Sequence, residues 1–273
     1  MMSTDVTAVV SCFNYGAYLP ETVASVLNQE GGAPRVVVVD DGSTDRDTHA
    51  ALDALPPAVE VVRQANAGVA AARNAGLSRA DTPLVLVLDA DDRLAPRALR
   101  AMREGLDAAP AAGFAYGHHR FIGGWSGELR FPPYDPLRLL DRHLIGATAL
   151  TRREVIEQTG GFDPGFTAFE DWEFWVNALA HGWRGVRVDA VTLEYRRHGE
   201  TKLWADRRRY RAARRRLRAK HAALYARRAE LAAESDLGTA GRLTYRWFWG
   251  VRPVPAALEA AVHRTMWAAG GPR

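Results

Sequence analysis

Apolar runs and amphipathic stretches alternate along the N-terminal half of the chain. Four β-rich runs predict strands: Val6–Cys12, Val36–Val39, Val59–Arg63 and Leu84–Leu88. The second and the fourth predict buried strands, and the fourth, a fully apolar run, suits a strand that is buried on both faces of a parallel sheet. Four stretches between and after these runs have the character of helices: Tyr18–Gln29, about Asp47–Leu55, Val69–Ala80 and Pro96–Ala109. The alternation predicts an α/β fold with a doubly wound, mainly parallel sheet flanked by helices.

Carboxylates follow two of these predicted strands at the point where each strand ends. Asp40 and Asp41 follow the second strand, and Asp89, Asp91 and Asp92 follow the fourth. Open α/β folds bind their ligands at this edge of the sheet. The three crowded acids would repel each other unless a divalent cation, itself holding a phosphate, lay among them. The sequence therefore predicts chemistry on a metal-bound nucleotide.

The first acidic pair and the arginine of the third predicted helix each allow two interpretations. Asp40 and Asp41 can accept hydrogen bonds from a base or a ribose, or can simply belong to a strand–turn–helix connection. In the segment 66–76, Arg73 can pair with a diphosphate in bidentate fashion. The alternative is a surface arginine on an alanine-rich helix.

After residue 113 the regular alternation gives way to Gly, Pro and aromatic residues, which is typical of irregular connections that build a binding surface. Glu170 and Asp171 lie there among aromatic residues, a setting that can raise the pKa of a carboxyl group and make it a general base. Alternatively, they complement the dipole of a helix over about 171–181. His198 is a surface residue or a contact to metal or phosphate.

The formal net charge of +4 hides an asymmetry between the body and the tail of the chain. Residues 1–200 carry 19 Lys and Arg against 27 Asp and Glu, whereas residues 201–273 carry 17 against 5. The basic tail is thus expected to meet an anionic partner: a lipid headgroup, a nucleic acid or a second subunit. Residues 203–235 predict an Arg-rich helical stretch, in which Tyr210, Leu217, Leu224 and Leu231 form a thin apolar seam.

Composition excludes several classes of protein. Of the 273 residues, 47% are apolar and 25% charged, as in ordinary folded proteins. The single cysteine, Cys12, excludes an intramolecular disulfide and a cysteine-rich zinc site. No signal peptide begins the chain, and no apolar run approaches the about 18 residues that span a bilayer. A cytoplasmic protein is therefore expected.

Seven motifs carry a resemblance to the inverting family-2 glycosyltransferases of the GT-A fold, over about residues 5 to 200. They occur in the order and the approximate spacing of that family: Val9–Asn14, Val39–Asp45, Asn66–Gly76, Leu88–Asp92, Gly160–Asp163, Glu170–Trp172 and Tyr195–His198. The resemblance implies a Rossmann-like GT-A domain at 1–202, with a nucleotide-sugar half at about 1–112 and an acceptor half at about 113–202. Residues 203–273 would be a basic helical extension.

The resemblance also implies roles for individual residues. Asp40 and Asp41 would contact the nucleobase and ribose. Asp89 and Asp91 match the DXD motif, with Asp91 as the metal ligand and Asp89 nearer the ribose; Asp92 has no assigned role. Asp171 would be the catalytic base and Glu170 its neighbour. The remaining assignments are Ser11, Phe13, Asn14 and Arg73 for the nucleotide, His198 for the metal or diphosphate, and Gly160, Gly161 and Trp172 for the acceptor side.

The implied reaction is an inverting, metal-dependent transfer of a hexosyl group from a nucleoside-diphosphate sugar to an acceptor hydroxyl. The metal would be Mn²⁺ or Mg²⁺, and a uridine diphosphate sugar is favoured as donor. The acceptor would be a glycan, a lipid-linked glycan or a small molecule. No nucleic acid partner is expected. The tail departs from the family pattern, and three interpretations stay open for residues 203–273: a solvated face, a contact with an anionic membrane surface on the inner face or with a lipid-linked acceptor, and a contact with a second copy in a homodimer. The alternatives are a catalytically silent nucleotide-sugar-binding module and a metal-dependent phosphohydrolase.

Overall fold

The structure is a computed structural model that describes residues 2–124, 126–197 and 207–245. The predicted ligand His198 therefore lies outside the described residues, as do the C-terminal 28 positions from residue 246 onward.

One mixed sheet of nine strands forms the centre of the described molecule. The strands are β1 Met2–Cys12, β2 Ala33–Asp40, β3 Val59–Arg63, β4 Leu84–Asp89, β5 Arg93–Leu94, β6 Ala112–Gly123, β7 Glu128–Leu129, β8 Leu150–Arg152 and β9 Arg184–Arg197. Their order across the sheet is β3-β2-β1-β4-β8-β6-β9-β5, and β7 pairs with β6 outside this path. The sheet is continuous from the predicted nucleotide half into the predicted acceptor half.

Helices cover the sheet and extend beyond it. They are α1 Leu19–Leu27, α2 Arg46–Asp53, α3 Val69–Leu77, α4 Ala98–Ala108, α5 Pro136–Leu139, α6 Arg153–Thr159, α7 Glu170–Ala180, α8 Arg207–Lys220, α9 Ala222–Ala226, α10 Arg228–Ala233 and α11 Thr239–Tyr245. None of the helices in the described part of the chain combines the length and the apolar character that crossing a membrane requires.

The four predicted N-terminal strands are confirmed, and they pair in parallel. Val9 of β1 lies opposite Val37 of β2 on one side and Val87 of β4 on the other. All three side chains are buried, because helices on both faces of a parallel sheet leave its central strands no contact with water. The carboxyl ends of β1, β2 and β4 therefore meet at one edge, and Asp40 and Asp89 are the last residues of their strands.

The expectation that the chain after residue 113 is mainly irregular is wrong for two long strands. β6 has 12 residues and β9 has 14, and they pair in parallel with several register shifts. One of these shifts falls between Tyr116 and His118, and it interrupts the alternation that would mark a half-buried strand. A period-2 pattern is nevertheless present in β9, where Val186 and Val188 pack against the core, and it could have revealed this strand.

The described part of the Arg-rich tail, residues 207–245, folds onto the body of the same chain. The structure divides the predicted helical stretch into α8, α9 and α10, with interruptions at His221 and Arg227. The predicted apolar seam is the buried face of these helices, since Leu217, Leu224 and Leu231 belong to the main hydrophobic core. In this chain the thin apolar seam packs against the body and does not form a coiled coil.

Candidate active site

The end of β4 places the first acid of the DXD motif in contact with both β1 and α3. Asp89 Oδ1 accepts hydrogen bonds from Ser11 Oγ at 3.0 Å and from Arg73 Nη2 at 2.9 Å. The contact between Ser11 and Asp89 follows from the strand register, because the two residues lie opposite each other in the parallel β1–β4 pair. The second oxygen of Asp89 and its half-exposed side chain leave the carboxylate open toward the edge of the sheet.

Asp91 and Asp92, although adjacent, have different surroundings. Asp92 is buried, and its Oδ1 accepts a hydrogen bond from the Arg196 backbone N–H at 2.8 Å. Burial, together with the neighbouring charges of Asp91 and Asp89, raises the pKa of Asp92 well above its usual value. Asp91 is half-buried, and its backbone oxygen accepts from Arg196 Nε at 2.8 Å. Asp92 therefore holds the loop after β4 against the end of β9, and its role is structural.

The first acidic pair separates into two environments as well. Asp41 Oδ1 accepts hydrogen bonds from Gln64 Nε2 at 2.7 Å and the Ala67 N–H at 2.9 Å, and its Oδ2 accepts from the Gly68 N–H at 2.9 Å. Asp40 Oδ1 accepts only one described hydrogen bond, from the Ser43 N–H at 2.9 Å. Asp41 thus holds the 64–68 loop, while Asp40 keeps acceptor capacity at the sheet edge.

The loop after β1 lies against the same turn. Asn14 has a left-handed backbone with φ of 59°, its N–H donates to Ser43 Oγ at 3.0 Å, and its Oδ1 accepts from the Thr44 N–H at 2.8 Å. Phe13 is exposed beside it, which leaves an aromatic face available at the edge. Asp45 caps α2 by accepting from the Thr48 N–H at 2.7 Å, as the sequence predicts.

Arg73 connects the donor side of the site to the acceptor side. Its side chain is only 3% exposed; Nη2 donates to Asp89, and Nη1 donates to Glu170 Oε1 at 2.8 Å. The guanidinium also lies over the Phe162 ring, 5.1 Å from its centroid. The interpretation of Arg73 as a surface residue is therefore wrong, because two carboxylates from β4 and α7 compensate its burial.

The acceptor side centres on Asp171 in the first turn of α7. Its Oδ2 lies 2.9 Å from His143 Nε2, and its Oδ1 accepts from the Trp172 N–H at 2.8 Å. Phe169, at the N-cap of α7, has a left-handed backbone with φ of 60°. Because no side chain caps this helix end, its unpaired N–H groups favour the carboxylates of Glu170 and Asp171.

The pKa values of Glu170 and Asp171, the first two residues of α7, are shifted in opposite directions. Burial and the charge of Asp171 raise the pKa of Glu170, despite Arg73. Burial also acts to raise the pKa of Asp171, but the charge and hydrogen bond of His143, together with Arg73, lower it below the usual value. The expectation of a raised pKa is therefore wrong for Asp171, since sequence reasoning did not include His143.

Of the two glycines assigned to the acceptor side, Gly161 packs against α3 of the predicted nucleotide half. Gly160 ends α6 with a left-handed φ of 77°, and Gly161 follows with φ of 83°. A Cβ on Gly161 would lie 2.5 Å from Asn74 Oδ1 of α3, whereas a Cβ on Gly160 would meet no atom within 4 Å. Asn74 also exchanges two hydrogen bonds with the Phe162 backbone, at 2.7 and 2.8 Å. The loop after α6 is therefore fixed against α3.

Sequence reasoning missed two residues that contact the acceptor side. His143 lies in the loop between α5 and β8, 28 positions before Asp171, and no motif marks it. Tyr210 of α8 stacks on the buried Trp172 ring at a centroid distance of 5.1 Å. Its hydroxyl donates a hydrogen bond to the backbone carbonyl oxygen of Asp141 at 2.9 Å. The only available signal was the apolar seam, which includes Tyr210.

The carboxylates at the end of β4 suit a hard divalent cation. Within the described residues, no three His, Cys, Asp or Glu side chains form a preformed metal cluster. Mg²⁺ is often held by one or two carboxylates together with substrate phosphates, and Mn²⁺ also prefers oxygen ligands. Asp89, half-exposed, and Asp91, half-buried, supply such oxygens. The donor set therefore fits a cation that arrives with a nucleotide.

Solved structures share the architecture. Staphylococcus aureus TarS (residues 1–349), in a complex with UDP, matches 89% of this chain and 69% of that one with a TM-score of 0.64 and 19% sequence identity. A mannosyltransferase from Pyrobaculum calidifontis, in a complex with GDP-Man and Mn²⁺, matches 98% of this chain and 83% of that one with a TM-score of 0.60 and 21% identity. The fold is that of the GT-A glycosyltransferases, with a curled, largely parallel sheet.

The sequence comparisons define the family. The model of glycosyl transferase family 2 matches residues 7–160, and the chain belongs to this family. The succinoglycan biosynthesis protein ExoO of Rhizobium meliloti (strain 1021) is 43% identical over 109 residues, which are 39% of this chain and 31% of that protein. The chain thus spans about a third of the length of that relative.

Proposed function

We propose that the chain transfers a hexosyl group from a nucleoside-diphosphate sugar to an acceptor hydroxyl, with inversion and with Asp171 as the general base. The observation that carries the proposal is the Arg73 bridge. One buried guanidinium bonds Asp89, at the edge where nucleotides bind, and Glu170, beside Asp171. This bridge brings the leaving-group side and the base side of a single transfer reaction together in one network.

The reaction needs a proton acceptor on one side of the sugar and charge stabilisation on the other. Asp171 is ionised at neutral pH, because His143 and Arg73 outweigh the effect of burial on its pKa. Its carboxylate would take the proton of the acceptor hydroxyl as that oxygen attacks the anomeric carbon. The nucleoside diphosphate would leave from the opposite face. A single displacement with one base inverts the configuration at this carbon.

The donor side is supported by the geometry at the ends of β1, β2 and β4. Asp40, with acceptor capacity remaining, is the proposed contact for the nucleobase or ribose, and Asp89, which Ser11 bonds, is proposed to lie nearer the ribose. Asp41 is assigned a supporting role, since its oxygens hold the 64–68 loop. Ser11, Phe13 and Asn14 would complete the nucleotide site. UDP-sugars are the favoured donors, and GDP-sugars are the next candidates, because structural neighbours were solved with UDP and with GDP-Man.

Mn²⁺ or Mg²⁺ is the proposed cofactor, held by Asp91 and Asp89, with His198 as a further ligand or diphosphate contact. When bound, such a cation would neutralise the charge that develops on the leaving diphosphate. The described protein atoms contribute the carboxylates and fix the loop through Asp92 and Arg196. A structural neighbour that was solved with Mn²⁺ supports this choice.

The acceptor is proposed to be a glycan, a lipid-linked glycan or a small molecule that reaches Asp171 beside Gly160 and Gly161. Trp172 is fully buried, so its assignment as an acceptor contact is wrong, and its ring supports the first turn of α7 instead. The proposals of an anionic membrane surface at the inner face and of a homodimer rest on the charge of residues 203–273. Part of that charge has partners in the body of the chain, because Asp141 bonds Arg214 at 3.0 Å and also Arg228. The described half of the tail thus gives the membrane proposal less support than the sequence does.

The test is an Asp171→Asn variant. Thermal-shift screening of nucleoside diphosphates with Mn²⁺ selects the base, and nucleotide release from the matching sugars is then measured with and without an acceptor panel. We expect Asp171→Asn to lower acceptor-dependent turnover by about 10²- to 10⁴-fold, because the general base is lost. Donor affinity should stay nearly unchanged, since Asp171 lies on the acceptor side.

The matched control is Asp53→Asn, which removes an exposed carboxylate on α2 and should leave turnover unchanged. Wild-type turnover in Asp171→Asn would contradict the assignment of the base. Phosphate release without any acceptor would favour a phosphohydrolase, and donor binding without turnover in the wild type would favour a silent binding module.

A further inference from the structure

His143 forms the only described side-chain hydrogen bond to Asp171. Its Nε2 lies 2.9 Å from Asp171 Oδ2, and its side chain is about one-quarter exposed. A loop residue that is so remote in sequence makes this contact only because the 140–149 segment passes over the start of α7. A hydrogen bond from the Trp172 N–H holds Asp171 Oδ1, so the two hydrogen bonds together fix the plane of the carboxylate.

The orientation of the imidazole is fixed by aromatic rings. His143 stacks on Trp172 at an interplanar angle of 29°, and it meets the Phe169 ring edge-on at 85°. The two rings come from the N-cap and the first turn of α7, which also carries Asp171. The imidazole therefore packs on the helix end that holds the carboxylate, and a rotation of the imidazole would disrupt this ring packing.

One ring nitrogen of His143 faces an acceptor, since Nε2 lies 2.9 Å from Asp171 Oδ2. Burial acts to lower the pKa of His143, but Asp171, the charge of Glu170 and the backbone of Ile145 raise it. A protonated imidazolium donates to the carboxylate and has no lone pair with which to take a proton itself.

We propose that His143 is a positioning residue for glycosyl transfer, which aims the Asp171 carboxylate at the acceptor hydroxyl and keeps it ionised through an imidazolium–carboxylate pair. This inference rests on the proposed function of Asp171. During transfer the acceptor proton would move to Asp171, while His143 keeps both of its protons. The imidazolium compensates the negative charge of the free base before each turnover.

Other charged groups near the pair come from three elements. Arg73 on α3 lowers the pKa of Asp171, and Glu170 on α7 raises the pKa of His143. His119 on β6 is buried, which lowers its pKa to about 3, so it is neutral at neutral pH. Within the described residues, His143 is thus the only basic side chain that bonds Asp171 directly, and its removal leaves Arg73 and the Trp172 N–H to oppose the effects of burial and of Glu170.

The first test does not require activity. The His143 ring resonance is identified by its loss in His143→Gln, and its titration is followed by NMR. We expect a pKa above the ordinary 6.5 in the wild type. In Asp171→Asn the pKa should fall by about 1 unit or more, because an opposite charge at this distance changes a pKa by about 1 to 3 units. An unchanged titration would overturn the proposed pair.

The second test measures the pH profile of kcat in His143→Gln, which keeps a neutral hydrogen-bond donor. Without the imidazolium the pKa of Asp171 rises, so the acidic limb of the profile should move up by about 1 pH unit or more, with donor KM unchanged. A role in packing alone would lower kcat equally at all pH values and would overturn the inference. His49→Gln, on the exposed face of α2, is the matched control.

The two hypotheses fail in different ways. If Asp171→Asn keeps wild-type turnover, the proposed base is wrong. If Asp171→Asn loses turnover while His143→Gln keeps the wild-type acidic limb, only the inference about His143 is wrong.

Discussion

The proposed donor side, around Asp40 and Asp89, and the proposed acceptor side, around Asp171, are built by different means. On the donor side, backbone groups of nearby turns hold the carboxylates, as when Ser43 bonds Asp40 and Gly68 bonds Asp41. On the acceptor side, Asp171 is held in part by the side chain of His143, and the ring beside it packs against Tyr210 of the tail.

This difference shows where each half of the site obtains its precision. A strand end followed by a tight turn places a carboxylate with few residues, so the position of Asp40 follows from local sequence, whereas Ser11 and Arg73 bond Asp89 from other segments. The acceptor side depends on segments that meet only after the chain has folded. Substitutions in the tail or in the loop of His143 are therefore expected to disturb the position of Asp171. We expect the proposed nucleotide site at the end of β4 to be less sensitive to distant substitutions.

The largest effect on stability is expected where the two sides are joined. Arg73→Met removes the guanidinium and leaves Glu170 buried without its partner, so the free energy of unfolding should fall by about 3 kcal/mol or more. Guanidinium chloride unfolding measures this change. Arg63→Met, which breaks an exposed pair with Asp53, should cost less than about 1 kcal/mol. Equal losses for the two variants would mean that Arg73 does not join the two sides.

The next effect tests whether the acceptor side depends on the tail. Leu217→Ala removes a fully buried side chain of α8 from the main core, and the free energy of unfolding should fall by about 2–5 kcal/mol. Leu243→Ala, at a position that is 64% exposed, should change it by less than about 0.5 kcal/mol. If both variants unfold at the wild-type denaturant concentration, the tail does not stabilise the body.

The smallest effect separates the two adjacent acids of the donor side. Asp41→Asn deprives at least one loop N–H of its acceptor, so the free energy of unfolding should fall by about 1–3 kcal/mol. Asp40→Asn can keep the one described hydrogen bond, from the Ser43 N–H, so its free energy of unfolding should equal that of the wild type. It should bind nucleoside diphosphates more weakly. Calorimetric titration and urea unfolding measure the two quantities. A reversed pattern would exchange the roles of Asp40 and Asp41.

Particular residues show how far the sequence predicts the site. Asp40 and Asp89 could be placed at one edge because each ends a parallel strand, and Asp45 could be predicted as a cap. The orientation of Arg73 was not predictable, because an alanine-rich helix has no strongly apolar face that would mark its buried side. The lowered pKa of Asp171 was not predictable either, since it depends on His143 from another loop.

By itself, the sequence determined the β-α-β framework, the carboxylates at the strand ends and the family. Apolar periodicity and turn residues act over a few positions, and these are sufficient for such features. Only the tertiary structure decided that Arg73 joins Asp89 to Glu170, that His143 holds Asp171 and that the basic tail lies on its own acidic body. These contacts join residues that are far apart in sequence, and their energies depend on burial and distance, which no local pattern contains.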